Sequence, residues 1–311
     1  MKPAPPATVE TLDQARARLQ LWKEKRGAVI LAHNYQIDEV QDAADYTGDS
    51  LELSRLAAKT TAPVIVFAGV QFMAESAKIL SPEKTVLLPV REAGCPMADT
   101  VTAEDVRRAR QQHPQAAVVA YVNSSAEVKA EVDVCCTSAN AVQIVNALTQ
   151  DEVIFVPDKN LADWVARHTS KRIIPWAGSC CVHNDLHLKE VTRARAEHPQ
   201  AALLAHPECR PEVCAQAQAV LSTSGMLKFV KTDPGSEYLI GTEVGLLHRL
   251  RQENPTKTFY PVSAAMVCRS MKLTTLSHVA DALEFNQHAI EVPEPVRARA
   301  AHALEAMLQL V

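Results

Sequence analysis

Short apolar runs recur along the chain, and amphipathic stretches separate them. Ala28 to Tyr35, Pro63 to Gly69, Thr85 to Val90, Ile173 to Trp176 and Thr258 to Val262 are brief and apolar, which predicts buried strands. Between them the spacing turns helical. Leu12, Ala15, Leu19 and Trp22 mark a helix over Thr11 to Arg26 with Gly27 as its C-cap. Further helices are expected over Glu39 to Tyr46, from a cap at Gly48-Asp49-Ser50 to Lys59, and over Phe72 to Leu80. The Pro-rich start, residues 1–8, predicts a loose end, and a helical tail from Pro295 to Val311 is expected to pack back on the body.

The pattern repeats. Arg108 to Tyr121 closely matches Arg193 to His206, 85 residues further on. Cys95, Cys180 and Cys268, each just past an apolar run, are spaced 85 and 88 residues apart. His33, Tyr121 and His206 at strand ends fall 88 and 85 apart, as do the helix-start hydroxyls Ser50, Ser138 and Thr223. Such a period sets the architecture. The expected fold is α/β, with three pseudo-symmetric repeats, each a small parallel sheet in an α/β/α sandwich. The units are expected at 1–112 with the N-terminal helix, at 113–197, and at 198–311 with the tail. Right-handed crossovers put every strand's C-terminal end on one edge of its sheet, where ligands bind. Three such edges facing inward would gather the registered residues at one central site.

Composition narrows the chemistry. A chain of 311 residues, 47% hydrophobic and 22% charged, can bury a sizeable core, and a net charge of −4 gives no nucleic-acid footprint. No apolar run is long enough for a membrane helix, and no signal peptide stands at the start, so the expected location is the cytoplasm. There eight cysteines stay reduced, which favours metal or redox chemistry over structural disulfides. No Walker loop or G-x-G-x-x-G fingerprint points to a nucleotide cofactor.

A single buried cysteine is ordinarily an inert small hydrophobe. Three in register are different, because packing alone does not call for thiols at three equivalent loops. Three thiolates without a fourth suit an iron–sulfur cluster with one open iron. Zinc is the rival, since Cys180, His183 and His187 have ligand-like spacing, although His183 and His187 could simply start an exposed helix. The zinc reading leaves Cys95 and Cys268 unexplained. Spacing does not choose between Cys180 and its neighbour Cys181. Cys135, Cys136, Cys209 and Cys214 lie out of register and read as structural thiols or a redox-sensitive set.

Ser50, Ser138 and Thr223 are placed to act either as N-caps or as anion sites at helix starts, suited to carboxylates or phosphate. Tyr35, Asn123 and Glu208 each follow a registered strand-end residue by two, which gives the pairs His33/Tyr35, Tyr121/Asn123 and His206/Glu208. On an extended chain such pairs share a face. They supply candidates for general acid–base work.

The chain resembles the quinolinate synthase family over nearly its whole length. The resemblance rests on His33-Asn34-Tyr35-Gln36, Gly48-Asp49-Ser50-Leu51, Gly94-Cys95-Pro96-Met97, Tyr121-Val122-Asn123-Ser124 and Thr137-Ser138-Ala139-Asn140. It continues through Gly178-Ser179-Cys180-Cys181-Val182-His183, His206-Pro207-Glu208-Cys209, Ser222-Thr223-Ser224-Gly225 and Cys268-Arg269-Ser270-Met271. It implies a [4Fe–4S] cluster, one per chain, on Cys95, Cys180 and Cys268 with one open iron, and it selects Cys180 over Cys181. It implies condensation of iminoaspartate with dihydroxyacetone phosphate to quinolinate, with loss of phosphate and water, and a transient encounter with the enzyme that supplies iminoaspartate. The substrate-binding positions it implies are His33, Ser50, Tyr121, Asn123, Ser138, His206, Glu208 and Thr223. Tyr35 and Glu208 are expected to move protons, with His33 and His206 positioning substrate. Two other functions fit part of the pattern: another open-iron hydro-lyase acting on a polycarboxylate, and a non-catalytic thiol or cluster redox sensor.

Overall fold

A computed structural model describes residues 10–310. The Pro-rich start and Val311 lie outside them. The first predicted helix forms over Leu12–Arg26, with the Thr11 side chain accepting from the Gln14 amide and Gly27 closing it in the left-handed region at φ 59°. That conformation is one glycine adopts without steric cost.

The body is built from three parallel sheets of four strands each. The first holds β1 (Ala28–His33), β2 (Tyr46–Gly48), β3 (Val64–Ala68) and β4 (Thr85–Leu87) in the order β2-β1-β3-β4. The second repeats that order with β5 (Ala117–Tyr121), β6 (Val134–Cys136), β7 (Glu152–Val156) and β8 (Arg172–Pro175), as β6-β5-β7-β8. In the third, β9 (Ala202–Ala205), β10 (Ala219–Val220), β11 (Glu237–Gly241) and β12 (Thr258–Pro261) run β10-β9-β11-β12. The threefold α/β/α architecture expected from the repeat is the observed one.

Local differences follow from position in the sheet. The inner strands β3 and β5 are buried throughout, as near-continuous apolar runs should be. The run at Ile173 is not a fully buried strand. It forms the edge strand β8, with Arg172 and Pro175 exposed and the two isoleucines half-buried. The helix expected to Tyr46 spans only Asp38–Ala43, because Tyr46 to Gly48 pairs with β1 as an edge strand. The edge strands β2, β6 and β10 are two or three residues long. Such pieces are too short to show a two-residue alternation.

The helix that follows each unit's last strand packs against the next unit. Ala103–Gln112 lies on Ala126–Lys129 and is tied there by Arg107 to Glu131 at 2.9 Å and Arg110 to Asp133 at 2.7 Å. Leu188–Glu197 packs on Pro211–Cys214, and its Val191 and Ala194 share a core with Leu203, Ala205 and Leu239 of the third sheet. Leu276–Phe285 returns to the first unit, where Val279 and Leu283 pack with Leu19, Ile30 and Val66. The C-terminal helix, Glu294–Gln309, lies against β6, Ala126–Lys129 and Gln71–Leu80, bridging the second and first units. Among the described residues no helix is long and apolar enough to cross a membrane.

Candidate functional site

Every strand in a sheet is parallel to its neighbours, so all four strand ends of each unit lie on one edge. Those edges meet at a central cavity lined by His33, Tyr35, Ser50, Asn123, Glu208 and the thiols Cys95, Cys180 and Cys268, among others. The registered residues therefore converge.

The cysteines sit where chain direction changes. Cys180 and Cys268 occupy the N-cap positions of the short helices Cys181–Asn184 and Arg269–Lys272. Backbone N–H groups of Met97 and Ala98, of His183, and of Ser270 and Met271 approach the sulfurs of Cys95, Cys180 and Cys268 in turn. Such donors favour the thiolate. Burial outweighs them in the bare protein: it pushes Cys95 up to about 12, with Cys268 adding to the shift, and it also raises Cys180 and Cys268. A metal taken up here must displace protons. Gly178 has to be glycine, since a Cβ there would press into the Thr100 hydroxyl and the Pro157 carbonyl. Cys181 is exposed and lines both the cavity and an outer groove, which also share Pro96, Val182 and Cys268.

The polar pairs do come together, for a different reason from shared faces on an extended chain. A tight turn follows β1 and β9: the Gln36 amide donates to His33 O at 3.0 Å, and the Cys209 amide to His206 O at 2.9 Å; after β5 the Ser124 hydroxyl donates to Tyr121 O at 2.9 Å. Within those turns the Tyr35 N–H donates to His33 Nδ1 at 3.2 Å, and the Glu208 N–H to His206 Nδ1 at 3.3 Å. Accepting at Nδ1 leaves the proton of each neutral ring on Nε2. Burial lowers both imidazoles to about 3, so they stay neutral donors at physiological pH. The His206 Nε2–H reaches Ser138 Oγ at 3.2 Å.

Glu208 is the hub. Tyr121 OH donates to its Oε1 at 2.5 Å, and His183 Nδ1 lies 3.0 Å from its Oε2. Burial works against its charge, but the two histidines beside it and these hydrogen bonds hold the carboxyl well below its usual range. Tyr35 OH lies 2.6 Å from Thr242 Oγ1, and burial, then the Glu208 charge, raises both Tyr35 and Tyr121 far above the ordinary phenol. The tyrosines therefore keep their protons. Asn123 brings a buried Oδ1 with no hydrogen-bond partner to the cavity. An orphaned acceptor of that kind in a cavity marks a place for a donor from outside the chain.

The hydroxyls divide. Ser50 and Thr223 open the helices Ser50–Lys59 and Thr223–Thr232, but the caps themselves are Asp49 and Ser222. That leaves the Ser50 hydroxyl facing the cavity, whereas the Thr223 hydroxyl accepts from Asn34 Nδ2 at 2.8 Å. Ser138 is not at a helix start: it lies in a turn ahead of Ala141–Ala147, whose N-cap position is Asn140. Tyr121, Ser138, His206 and Thr223 stand just behind the cavity wall.

His183 was missed as a centre of contacts. It is buried, not exposed, with Nδ1 3.2 Å from Cys180 Sγ, Nε2 2.8 Å from Thr242 Oγ1, and its ring stacked on His206 at 4.6 Å. His187 heads a separate helix, and the metal-like group found is Cys180, His183 and Glu208. Asp158 and Glu243, both fully buried, were also missed, although they sit 85 residues apart in register with each other.

The buried neutral histidines make an acid-side prediction. The unfolded chain protonates His33 below its ordinary pKa of about 6.5, and the folded chain does not until about 3, so stability falls with pH in that window. Exchanging His33 for Gln should remove about 2 kcal/mol of the stability lost between pH 7 and 5. Urea unfolding of both proteins at the two pH values measures it. An identical pH slope in the variant contradicts a neutral buried His33.

Fold and site together define a class: an enzyme of three pseudo-equivalent parallel α/β units that gathers three thiols and an imidazole–carboxylate–phenol network at one cavity. Comparison with known proteins gives the particular family. Residues 17–309 match the quinolinate synthetase A protein family. The chain is 58% identical over 288 residues to quinolinate synthase of Methanoregula boonei, covering 93% of this chain and 95% of that protein. To quinolinate synthase of Thermodesulfovibrio yellowstonii it is 54% identical over 290 residues, 93% and 96% of the two chains. To that of Geobacter metallireducens it is 52% identical over 298 residues, 96% and 98%. The chain belongs to the quinolinate synthetase A family, an enzyme family of NAD biosynthesis.

Proposed function

We propose that the protein is a quinolinate synthase that condenses iminoaspartate with dihydroxyacetone phosphate, releasing phosphate and water, in the cytoplasm. The observation that carries the reading is the meeting of Cys95, Cys180 and Cys268 with Glu208, His33, Tyr35, Ser50 and Asn123 in one cavity. The donor set fits a [4Fe–4S] cluster: three thiols from three units, N–H groups aimed at their sulfurs, and an adjoining space whose Asn123 acceptor is unpartnered. Cys95, Cys180 and Cys268 would hold it, and its iron without a cysteine would supply Lewis acidity toward a substrate oxygen.

The chain's own groups do the rest. Both substrates are anionic, yet among the described residues no Lys or Arg lines the cavity. Carboxylate and phosphate oxygens are met instead by neutral donors at the cavity, the Nε2–H of His33 and the Ser50 hydroxyl, while His206 and Ser138 brace the wall through each other and Thr223 through Asn34. Asn123 orients substrate beside them, and Tyr121 acts through its hydrogen bond to Glu208. Glu208, ionised and buried, takes protons during isomerisation and dehydration; Tyr35, held protonated, gives them. Iminoaspartate is short-lived in water, so a transient encounter with the enzyme that makes it fits this site.

The test is anaerobic purification with iron and sulfide analysis, followed by a quinolinate assay on both substrates. About four irons and four sulfides per chain with quinolinate formed supports the reading. Protein that holds one zinc, at Cys180, His183 and Glu208, overturns it. An intact cluster that makes no quinolinate but dehydrates another polycarboxylate points to the hydro-lyase alternative.

A further inference from the structure

Three of the four strand ends in each unit are accounted for: the polar pairs follow β1, β5 and β9, the hydroxyls follow β2, β6 and β10, and the thiols follow β4, β8 and β12. The fourth end, after β3, β7 and β11, is in register too. It carries Val70, Asp158 and Glu243, spaced 88 and 85 residues apart. The residue after each makes the same backbone latch to the thiol-bearing loop: the Gln71 amide donates to Ala93 O at 2.8 Å, Lys159 to Gly178 O at 2.8 Å, and Val244 to Met266 O at 3.0 Å.

The side chains at this register differ, and the difference falls on the thiols. Asp158 Oδ2 accepts the Cys180 N–H at 3.0 Å while its Oδ1 accepts the Leu161 N–H at 2.7 Å. Glu243 Oε1 accepts the Cys268 N–H at 3.1 Å and its Oε2 accepts the Gly245 N–H at 2.7 Å. Lys272 pairs with Glu243 at 2.9 Å and donates to Tyr35 O at 2.6 Å, tying the Cys268 loop to the turn that carries Tyr35. In the first unit the equivalent residue is Val70, which has no acceptor to offer Cys95.

We infer that Asp158 and Glu243 are positioning residues of the thiol centre, which clamp the Cys180 and Cys268 loops by their backbone N–H groups and leave Cys95 as the arm that yields first. Two ligands are thus held ready by buried carboxylates before anything binds, and the third closes onto whatever they hold. The inference deepens the cluster reading and rests on it for its second test, but not for its first.

The first test is hydrogen exchange on the reduced apoprotein. The Cys95 amide should exchange about tenfold or more faster than the Cys180 and Cys268 amides, because each of the latter needs a buried carboxylate contact to open. Asp158→Asn should speed exchange at Cys180 alone, Glu243→Gln at Cys268 alone. Glu75→Gln is the control: Glu75 is a buried carboxylate that accepts from the Ala126 amide and the Gln71 side chain, with no bond to the Cys180 or Cys268 loop, and its replacement should move neither. Equal exchange at the three cysteines of the unaltered protein overturns the inference, whether or not the variants fold. The second test uses reconstituted protein. Under chelator with pulsed alkylation, Cys95 should be labelled first, and the electron paramagnetic resonance signal of the reduced cluster should shift in Asp158→Asn and Glu243→Gln but not in Glu75→Gln. Labelling that begins at Cys180 or Cys268 overturns the proposed order. Failure to form any cluster, with the exchange order intact, counts against the cluster reading and leaves the clamps standing.

Discussion

Alanine at Cys95, Cys180 or Cys268 should each yield folded protein with no iron–sulfur absorption and no detectable quinolinate formation. The three thiols come from three units, so none substitutes for another, and two thiolates do not retain a cubane that needs three. Folding should survive. Each cysteine is only partly enclosed in the free protein, and its truncation removes one sulfur, a loss of about 1 kcal/mol. Alanine at Cys181 should change neither iron content nor turnover, because that thiol, although it borders the cavity, is exposed and its register in the other two units is held by Pro96 and Arg269. Iron and sulfide analysis with circular dichroism of all four variants settles the set. A Cys181→Ala protein that folds without a cluster would overturn the choice of Cys180.

Glu208→Gln should keep the cluster and lose turnover by about 10²–10⁴, the range that general acid–base groups supply. Glutamine keeps the shape but not the charge. Glu208 holds the Tyr121 hydroxyl at 2.5 Å and the His183 ring at 3.0 Å, so the change also loosens two groups at the wall. Thermal stability should fall at neutral pH, because a carboxyl held below its usual range stabilises the fold there and the amide does not. An intact cluster with lost turnover in folded protein separates a chemical role from a structural one. Tyr35→Phe should behave alike, with iron content unchanged and kcat reduced. Turnover within threefold of the unaltered protein in either variant removes that residue from proton transfer.

How much of this was legible beforehand follows from what a linear pattern encodes. The 85- and 88-residue register announced three equivalent units, and equivalence alone brought Cys95, Cys180, Cys268, His33, Tyr121 and His206 to one place. The edge strands β2, β6 and β10 escaped because their identity lies in pairing, not composition. Ser138 was misplaced because a hydroxyl before an apolar stretch looks the same in a turn as in a helix's first residue. His183 was hidden for another reason: it has no counterpart of its kind in register, and its burial depends on His206 and Thr242, which are distant in sequence. Asp158 and Glu243 were within reach, since they share the period. The valine in the first unit broke the pattern of residue type that would have drawn attention to them.

The exchange of helices between neighbouring units has a consequence for how the polypeptide becomes a protein. During synthesis, the first sheet emerges early, but the helix that covers its Ile30 and Val66 face is Leu276–Phe285, near the far end. The third unit waits less, because its covering helix precedes it, whereas the second also awaits Glu294–Gln309 on β6. A nascent chain therefore carries an apolar face that Leu12–Arg26 covers only in part, and Leu276–Phe285 closes the ring much as a final stave closes a cask. Truncation near residue 275 should leave not two finished thirds but an unsealed first unit, exposed to chaperones and proteases.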